Sequence, residues 1–554
     1  MKRKNSWKAT ATVSLAGMAL MTLSACNDEG TVDETTEGPI TFTLFSSDPH
    51  SQWDNMQSPV SQQVIEETGV TINPEFDVNG GEQKIALMAA SGDYPDFILP
   101  KGSASTLVNA GAFVDLTDLI EEHGPNLKEV YGDYFNRLKW SEEDEGIYIL
   151  PTAPVDHVYS EPGNGFMLQH EVVKELGYPD IRTVEDFEEA IRTYMEENPT
   201  IDGQPTIGLS LLADDWRIMI STTNPAFYAT GAPDDGEFYI DPDTYEATMH
   251  YRRDEEKEYF RWLNHMNDEG LLDPESFVQK YDQYLEKISS GRVLGLTDTD
   301  WQVADAERAL RESGKQERMY GMYPVTLTEE FKHPNFQDTG YLGGWGIGIS
   351  VDNEDPVRAI QFLDYLASEE GQILQNWGIE GEHYELVDGQ RVISEEEMEK
   401  RNNSANYVKD TGVGVLKGFS PVYGDGVEDS SGQTFTIANP DQIKDAYTEV
   451  EKEVLDAYGV EFWKDLYPQE DEFPIKPWGA AYNIPVDSSS ELRLQLQRCL
   501  DIVKRKVPEA ILATPDQFDH VWDEFMSELE AAGVEEAEAA YTELIQTRVK
   551  LWED

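Results

Sequence analysis

The chain has 554 residues, and its 42 Lys and Arg face 108 Asp and Glu, which gives a formal net charge of −66 at pH 7. This charge excludes a nucleic-acid partner, because binding to the phosphate backbone depends on basic side chains. Hydrophobic residues make up 39% of the chain and aromatic residues 11%. That is enough for a large core, so we expect a folded protein of more than one domain with an acidic surface.

Residues 1–25 have the pattern of an export signal. Four basic residues lie among the first eight, and a mostly small and apolar run follows, which is too short to span a membrane. The end of this run, LSAC, resembles the bacterial lipobox, in which the cysteine receives a lipid and becomes the first residue after cleavage. We therefore predict lipidation at Cys26 and an acidic tether over 26–38. The alternative is an ordinary signal peptide whose cleavage region contains a cysteine.

The next elements alternate between strand and helix patterns. We predict strands at 40–47, at VTINPEFDV and at 96–100, with helices between and after them. Such alternation predicts parallel strands joined by right-handed crossovers. Further strands at 206–212 and 292–298 lie among helices and predict a second α/β unit. A glycine-rich strand follows at 341–350, and the chain beyond about residue 440 is mainly helical, with Cys499 as a small core residue.

Several stretches, in this order and spacing, are similar to one family. They are SGDYPDFI, AGAFVDLTDLIEEHGPN, FMLQHEVVKELGYPDIRTVEDFEEAIRTY, SSGRVLGLTDTDW, and GWGIGIS with the DPVRAIQFLDYLASEEGQILQNWGIEGEHYEL that follows it. The chain resembles the extracellular solute-binding lipoproteins of carbohydrate ABC transporters, particularly the larger branch of family 1. The resemblance covers most of the chain after the export signal.

This resemblance implies an α/β fold of the two-lobe, periplasmic-binding-protein-like type II class, with extra C-terminal helices. The first lobe would take residues 39–152 and 343–410, and the second lobe 153–342 and 411–554. It also implies a monomer, held outside the cytoplasm on the cell membrane by its lipid anchor, that binds a sugar or oligosaccharide between closing lobes and serves ABC permease subunits. No covalent step is implied. Ligands of open α/β sheets lie beyond the carboxyl ends of strands, which agrees with this layout.

A sugar presents apolar C–H faces and hydroxyl groups, so its site needs aromatic surfaces beside polar groups. Trp301 and Asp300 follow the strand at 292–298, and Trp216 and Asp215 follow the strand at 206–212. By family analogy, Trp301 is the strongest candidate ligand contact. For each tryptophan the alternative is a core position, since large aromatic residues are mostly buried, and for each acid it is a solvated turn.

The remaining candidates lie in other parts of the chain. Asp48 follows the first strand, Lys101 follows the third, and Trp345 lies in the glycine-rich crossover. Trp478 and Tyr482 lie in an aromatic loop. The resemblance implies hydroxyl-binding groups at the positions of Asp48 and Lys101, directly after first-lobe strands.

Metal and catalytic motifs are weak or absent in the sequence. The stretch 197–210 corresponds to a calcium loop of some large family members, but it lacks alternating oxygen ligands, so we predict no cofactor there. Histidine and cysteine spacing gives no zinc motif, and we find no GxSxG or phosphate loop. Two alternatives to a saccharide-binding protein stay open: a secreted glycoside hydrolase, whose two carboxylates would lie about 5 to 9.5 Å apart, and a peptide-binding lipoprotein.

Overall fold

The computed structural model describes residues 38–77, 81–158, 161–341, 343–487 and 489–553. The predicted export signal, the lipidation site at Cys26 and the tether up to residue 37 lie outside these described residues. Within them, no helix combines the length and the apolar character needed to cross a membrane.

The strands of the described chain, in order, are β1 Ile40–Ser46, β2 Val70–Phe76, β3 Phe97–Leu99, β4 Leu150–Pro151, β5 Asn164–Gln169, β6 Thr200–Ile201, β7 Gln204–Pro205, β8 Ile207–Ser210, β9 Phe238–Ile240, β10 Ala247–Met249, β11 Val293–Thr299, β12 Tyr320–Tyr323, β13 Gly346–Ile349, β14 Glu385–Val387 and β15 Gln390–Val392. The strands predicted at 40–47, 96–100, 206–212 and 292–298 are present, with ends shifted by one or two residues.

The α-helices are α1 Pro59–Thr68, α2 Glu82–Ser91, α3 Ala104–Asn109, α4 Thr117–His123, α5 Pro125–Tyr131, α6 His170–Glu175, α7 Val184–Glu197, α8 Pro225–Ala229, α9 Asp254–Asp268, α10 Tyr281–Ser289, α11 Asp300–Glu312, α12 Pro356–Ala367, α13 Glu369–Asn376, α14 Glu395–Asn403, α15 Tyr407–Thr411, α16 Pro440–Ala446, α17 Glu449–Tyr458, α18 Glu491–Leu512, α19 Phe518–Ala532 and α20 Val534–Glu553. Local capping fixes several ends. The Thr183 side chain and Asp186 form a capping box at the start of α7.

The first sheet has the strand order β2-β1-β3-β13-β4. β1 is parallel to β2 and to β3, whereas β13 is antiparallel to β3 and to β4. The carboxyl ends of β1 and β3 and the amino end of β13 therefore meet at one edge of this sheet. Asp48, Lys101 and Trp345 all belong to that edge.

The second sheet has the order β12-β5-β11-β8, in which β11 and β8 are parallel neighbours. Their carboxyl ends lead directly into the segments that carry Trp216 and Trp301. Helices cover both sheets, which confirms the predicted α/β class with two separate sheets.

Each sheet has its own hydrophobic core. Phe42, Phe97 and Phe362 pack together on one face of the first sheet, and Phe166, Phe187 and Trp262 do so beside the second. Burial of each such ring contributes roughly 1.5–3 kcal/mol. The first core also includes 413–419, beyond the predicted lobe boundary near 410.

The C-terminal helices belong to the core of the second sheet. Residues of α18, α19 and α20 pack against α9 and the strands of that region. Cys499 is fully buried within α18, and burial raises the pKa of its thiol to about 11. The prediction that Cys499 is a core residue is confirmed.

Candidate functional site

The edge of the first sheet encloses a cavity of about 220 Å³, which we call the first-sheet cavity. Trp345 lines it with an aromatic ring, and its polar lining residues are Ser46, Asp48, His50, Lys101, Thr152 and Lys417. Phe76, Leu99 and Phe419 supply its apolar wall. A concave space with apolar walls and a few polar groups is the usual form of a small-ligand site.

Lys101 connects the predicted residues of this cavity. Its ammonium donates to Asp48 Oδ1 at 2.6 Å and lies 5.0 Å from the centre of the Trp345 ring. The backbone of Lys101 has a φ of 50°, in the left-handed region that non-glycine residues rarely adopt. Such strain persists where surrounding structure imposes it, and it is concentrated at binding sites.

Trp345 also contacts Tyr482 from the aromatic loop, with ring centroids 5.6 Å apart. The next residue, Asn483, donates to the carbonyl of Gly343 at 3.0 Å and accepts from Arg548 at 2.7 Å. Gly344, with a φ of 86°, leaves room for this contact, because a Cβ there would lie 2.3 Å from Asn483 Cγ. The glycine-rich crossover therefore brings Trp345 and Tyr482 together.

A second group forms beyond the parallel strands β8 and β11. The rings of Trp216 and Trp301 are stacked, with centroids 6.1 Å apart and planes inclined by 20°. Their exposed fractions are 44% and 57%, and that of Trp345 is 36%. Among the tryptophans of the described ranges, these three are the exposed ones, and all three follow or precede strands at a sheet edge.

Arg217 holds the stacked pair in place. Its guanidinium packs over Trp216 at 4.9 Å and over Tyr281 at 4.3 Å, and it donates to Asp215 at 2.6 Å. The Tyr281 hydroxyl in turn donates to the carbonyl of Gln302 at 2.6 Å. The Asp215 carboxylate therefore forms an ion pair with Arg217, although the sequence pattern predicts a ligand contact at this position.

The two acids near Trp301 differ in environment. Asp300 begins α11, and its carboxylate accepts from the N–H of Trp301 at 2.6 Å. Asp298 is buried and accepts from the Tyr284 hydroxyl at 2.6 Å and from the Gln302 amide at 2.7 Å. Burial raises the pKa of Asp298 to about 7.

Trp478 is not available for stacking, since only 2% of its surface is exposed. Its indole N–H donates to Asp235 at 3.1 Å, and Asp235 also pairs with buried Lys476 at 3.2 Å. The structure therefore corrects the proposal that Trp478 is a ligand contact. Its neighbour Tyr482 is 41% exposed and belongs to the first-sheet group through Trp345.

The stretch 197–210 contains the short hairpin of β6 and β7 and then strand β8. Asp202 and Gly203 make its turn with φ values of 51° and 79°, as expected for an Asp-Gly pair in a tight hairpin. Lys315 donates to Asp202 at 2.7 Å, and the Asn198 amide donates to Glu175. Across the described residues, no cluster of three or more His, Cys, Asp or Glu could hold a metal ion.

Several residues of these groups were not predicted from the sequence. Arg217 is adjacent to Trp216 in DDWR. The succession of an acid, an aromatic residue and a base could have indicated that Arg217 pairs with Asp215 and packs on Trp216. Lys417 lies in the run GVGVLKG, where the spacing excludes a nucleotide motif but gives no indication of a cavity. Thr152 and Asn483 reach their positions through tertiary packing, which no local pattern predicts.

Comparison with known proteins places the chain among binding proteins. Residues 61–376 match the family described as bacterial extracellular solute-binding protein. The fructooligosaccharide ABC transporter substrate-binding protein FusA of Streptococcus pneumoniae is 25% identical over 49% of this chain, and the chain spans 53%, about half, of that relative. Lipoprotein LipO of Bacillus subtilis is 23% identical over 70% of this chain and 76% of its own length.

Solved structures share the fold across nearly the whole chain. A solute-binding protein of an HMO-binding ABC transporter from Bifidobacterium longum infantis has a TM-score of 0.67 at 16% identity, covering 92% of this chain and 99% of its own. The alginate-binding protein AlgQ2 has a TM-score of 0.63 at 17% identity, with coverage of 94% and 99%. These likenesses establish the two-lobe fold of solute-binding proteins.

Proposed function

The chain belongs to the family of bacterial extracellular solute-binding proteins, and from this premise we propose that it binds a sugar or oligosaccharide for an ABC importer. The ligand is captured between two lobes and passed unchanged to the permease subunits. The names of the relatives, which include a fructooligosaccharide-binding protein, support a saccharide as the ligand.

One observation carries this proposal: the exposed tryptophans of the described chain are Trp216, Trp301 and Trp345, and each lies at a sheet edge where parallel strands end. An indole left in water forgoes a few kcal/mol of burial, so exposure of three at such edges favours a ligand that covers them. Flat aromatic rings beside Lys101, Asp48 and Asp300 match the apolar faces and hydroxyl groups of sugars.

The test is a thermal-shift and calorimetric screen of neutral and charged oligosaccharides, with peptides as the competing class. A ligand at 100 times its Kd adds about 2.7 kcal/mol to the free energy of unfolding. Trp301→Ala should reduce the shift to about half or less, whereas Leu386→Ala, which removes an exposed apolar side chain far along the chain, should preserve it. Stabilisation by peptides alone would replace our proposal with a peptide-binding function.

The same screen separates binding from catalysis. The oligosaccharide that binds is incubated with the protein and then analysed by mass spectrometry. A binding protein returns it intact, and cleavage products would make the protein a glycoside hydrolase instead.

We further propose a lipid anchor at Cys26, which places the protein on the outer face of the cell membrane. The lipobox-like LSAC and the lipoprotein LipO among the relatives support this placement. Cys26→Ala should move the protein from the detergent phase to the aqueous phase of a detergent partition. Cys499→Ala is the matched control, because that thiol is buried in α18.

We place the lobes at 39–152 with 343 to about 419, and at 153–342 with the remainder of the chain. The second boundary follows from the packing of 413–419 into the first core. We expect a monomer whose radius of gyration, measured by small-angle scattering, decreases when ligand closes the lobes. An unchanged radius at saturating ligand would contradict closure.

A further inference from the structure

The charge of the first-sheet cavity is opposite to that of the chain. Its lining carries two lysines, Lys101 and Lys417, against one acid, Asp48. The whole chain has a formal net charge of −66. A local excess of positive charge in so acidic a protein needs a specific explanation.

Lys417 is the source of this excess. Asp48 is already engaged by Lys101 at 2.6 Å, so those two charges largely cancel. Within the described ranges, the Lys417 ammonium has neither an ion-pair partner nor a hydrogen-bond partner, although it lines the cavity. Most other described lysines are held by acids, as in the pairs Lys174–Glu453, Lys280–Asp214, Lys315–Asp202 and Lys444–Glu461.

The surrounding charges do not neutralise Lys417. Desolvation lowers the pKa of the Lys417 ammonium, and Asp425, whose carboxylate accepts from Thr436 Oγ1 at 2.8 Å, only partly opposes this shift. The positive charge of Arg401 lowers the pKa of Lys417 further, and the Arg401 guanidinium itself donates to main-chain carbonyls. The charges of Asp425 and Arg401 have opposite signs, so together they do not remove the excess positive charge at the cavity.

The backbone around Lys417 is fixed by its glycines. Gly414 and Gly418 have φ values of 83° and 92°, and the N–H of Lys417 donates to the carbonyl of Gly414. Phe419 then packs against Trp53 in the first core, with ring centroids 5.9 Å apart. The lysine is therefore presented from an anchored turn.

We propose that the first-sheet cavity binds an anionic group, so that the saccharide ligand of this protein carries a carboxylate or a sulfate. Lys417 supplies the ion pair, Thr152 lies within the same lining, and the Trp345 ring covers an apolar face of the same sugar unit. An ammonium and a carboxylate form a charge-assisted hydrogen bond, which is stronger than one between neutral groups. This inference rests on the proposed saccharide function and names its substrate class.

The experiment compares three oligosaccharides of equal length by calorimetry: neutral, uronic acid-containing and sulfated. Lys417→Met should lower affinity for the charged ligands about tenfold and leave a neutral one within twofold. Lys409→Met is the matched control, since Lys409 is another exposed lysine of the neighbouring helix α15 and lies outside the cavity lining. The uronic acid and sulfated arms identify which anion is bound.

Equal or tighter binding of the neutral oligosaccharide, with no effect of Lys417→Met, would overturn this inference and leave the saccharide function standing. Failure of all saccharides, with stabilisation by another ligand class, would overturn both. Both lysine variants should melt within about 1 °C of the parent, because an exposed side chain without partners contributes little to stability.

Discussion

The indole rings of Trp216 and Trp301 stack on each other, with centroids 6.1 Å apart, although they come from segments that follow different strands. Trp301 is the more exposed of the two, at 57%. The pair therefore forms one aromatic surface, and we propose that Trp301 contacts the ligand while Trp216 supports it.

We expect Trp301→Ala to weaken saccharide binding by tenfold or more, because loss of an aromatic contact removes about 2 kcal/mol. Trp216→Ala should weaken binding less. Calorimetry gives both affinities, and urea unfolding should show a free energy within about 0.5 kcal/mol of the parent for Trp301→Ala.

Trp478→Ala is the opposite control. It removes a buried ring and leaves Asp235 without its indole donor, so unfolding should become easier by about 3–5 kcal/mol. A Trp301 variant that lost as much stability as this one would assign Trp301 to the core.

A second prediction concerns the positioning role of Arg217. Arg217→Lys keeps the charge beside Asp215 but loses the planar group that packs over Trp216 and Tyr281. We expect about fivefold weaker binding and lower fluorescence anisotropy of the indoles, since the stacked pair gains mobility. Arg308→Lys, at an exposed ion pair with Asp305 on α11, is the control. Equal effects of the two variants would contradict a positioning role.

Strand-end positions were predictable from sequence because the order of strands and helices determines where parallel strands end. Asp48, Lys101, Trp216 and Trp301 follow such ends, and the structure places each of them at a sheet edge. The residues that complete the two groups were not predictable, because Tyr281, which packs against Arg217, and Lys417, which lines the first-sheet cavity, reach these places through tertiary packing of distant segments.

Trp478 shows why the aromatic loop was misjudged. Its sequence context, FPIKPWGAAYNIP, contains three aromatic residues without indicating which side chain turns inward. Burial of Trp478 depends on Asp235, more than 200 positions earlier. A buried acid that meets both an indole N–H and a lysine leaves no local signature.

The third prediction concerns Gly344. Its φ is 86°, and a Cβ added there would lie 2.3 Å from Asn483 Cγ, so Gly344→Ala meets both backbone strain and a clash. We expect a loss of about 3 kcal/mol or more and weaker ligand binding, because the contact of Trp345 with Tyr482 is displaced. Urea unfolding and calorimetry measure the two effects.

Gly111→Ala isolates the backbone contribution. Gly111 has a φ of 67° and no atom within 4 Å of an added Cβ, so its substitution should cost only about 1 kcal/mol. Equal losses for the two glycines would show that the Asn483 contact does not constrain the crossover.

A fourth prediction concerns calcium. The Asp202 carboxylate is paired with Lys315, and the carbonyl oxygen of Asn198 accepts from Thr206 Oγ1 at 2.5 Å, so two candidate oxygen ligands of the stretch 197–210 are already engaged. We expect melting temperatures in excess EDTA and in millimolar calcium to agree within about 1 °C. Stabilisation by calcium that Asp202→Asn removes would identify a metal site at this hairpin.

The last prediction concerns Asp298 and pH. Burial raises the pKa of Asp298 to about 7, whereas an aspartate in the unfolded chain titrates near 4. Between about pH 4 and pH 7 the folded protein therefore holds a proton that the unfolded chain has lost, so the contribution of Asp298 to stability falls as pH rises.

Asp298→Asn provides the measurement, because the amide has no charge at any of these pH values and other titrating groups are shared by both proteins. The free energy of unfolding of the parent minus that of Asp298→Asn should decrease from pH 4 to pH 7 and level off above pH 7. Asp305→Asn, at an exposed position of α11, should show no such change over this window. Parallel profiles for the parent and Asp298→Asn would mean that Asp298 is ionised throughout, held by its donors Tyr284 and Gln302.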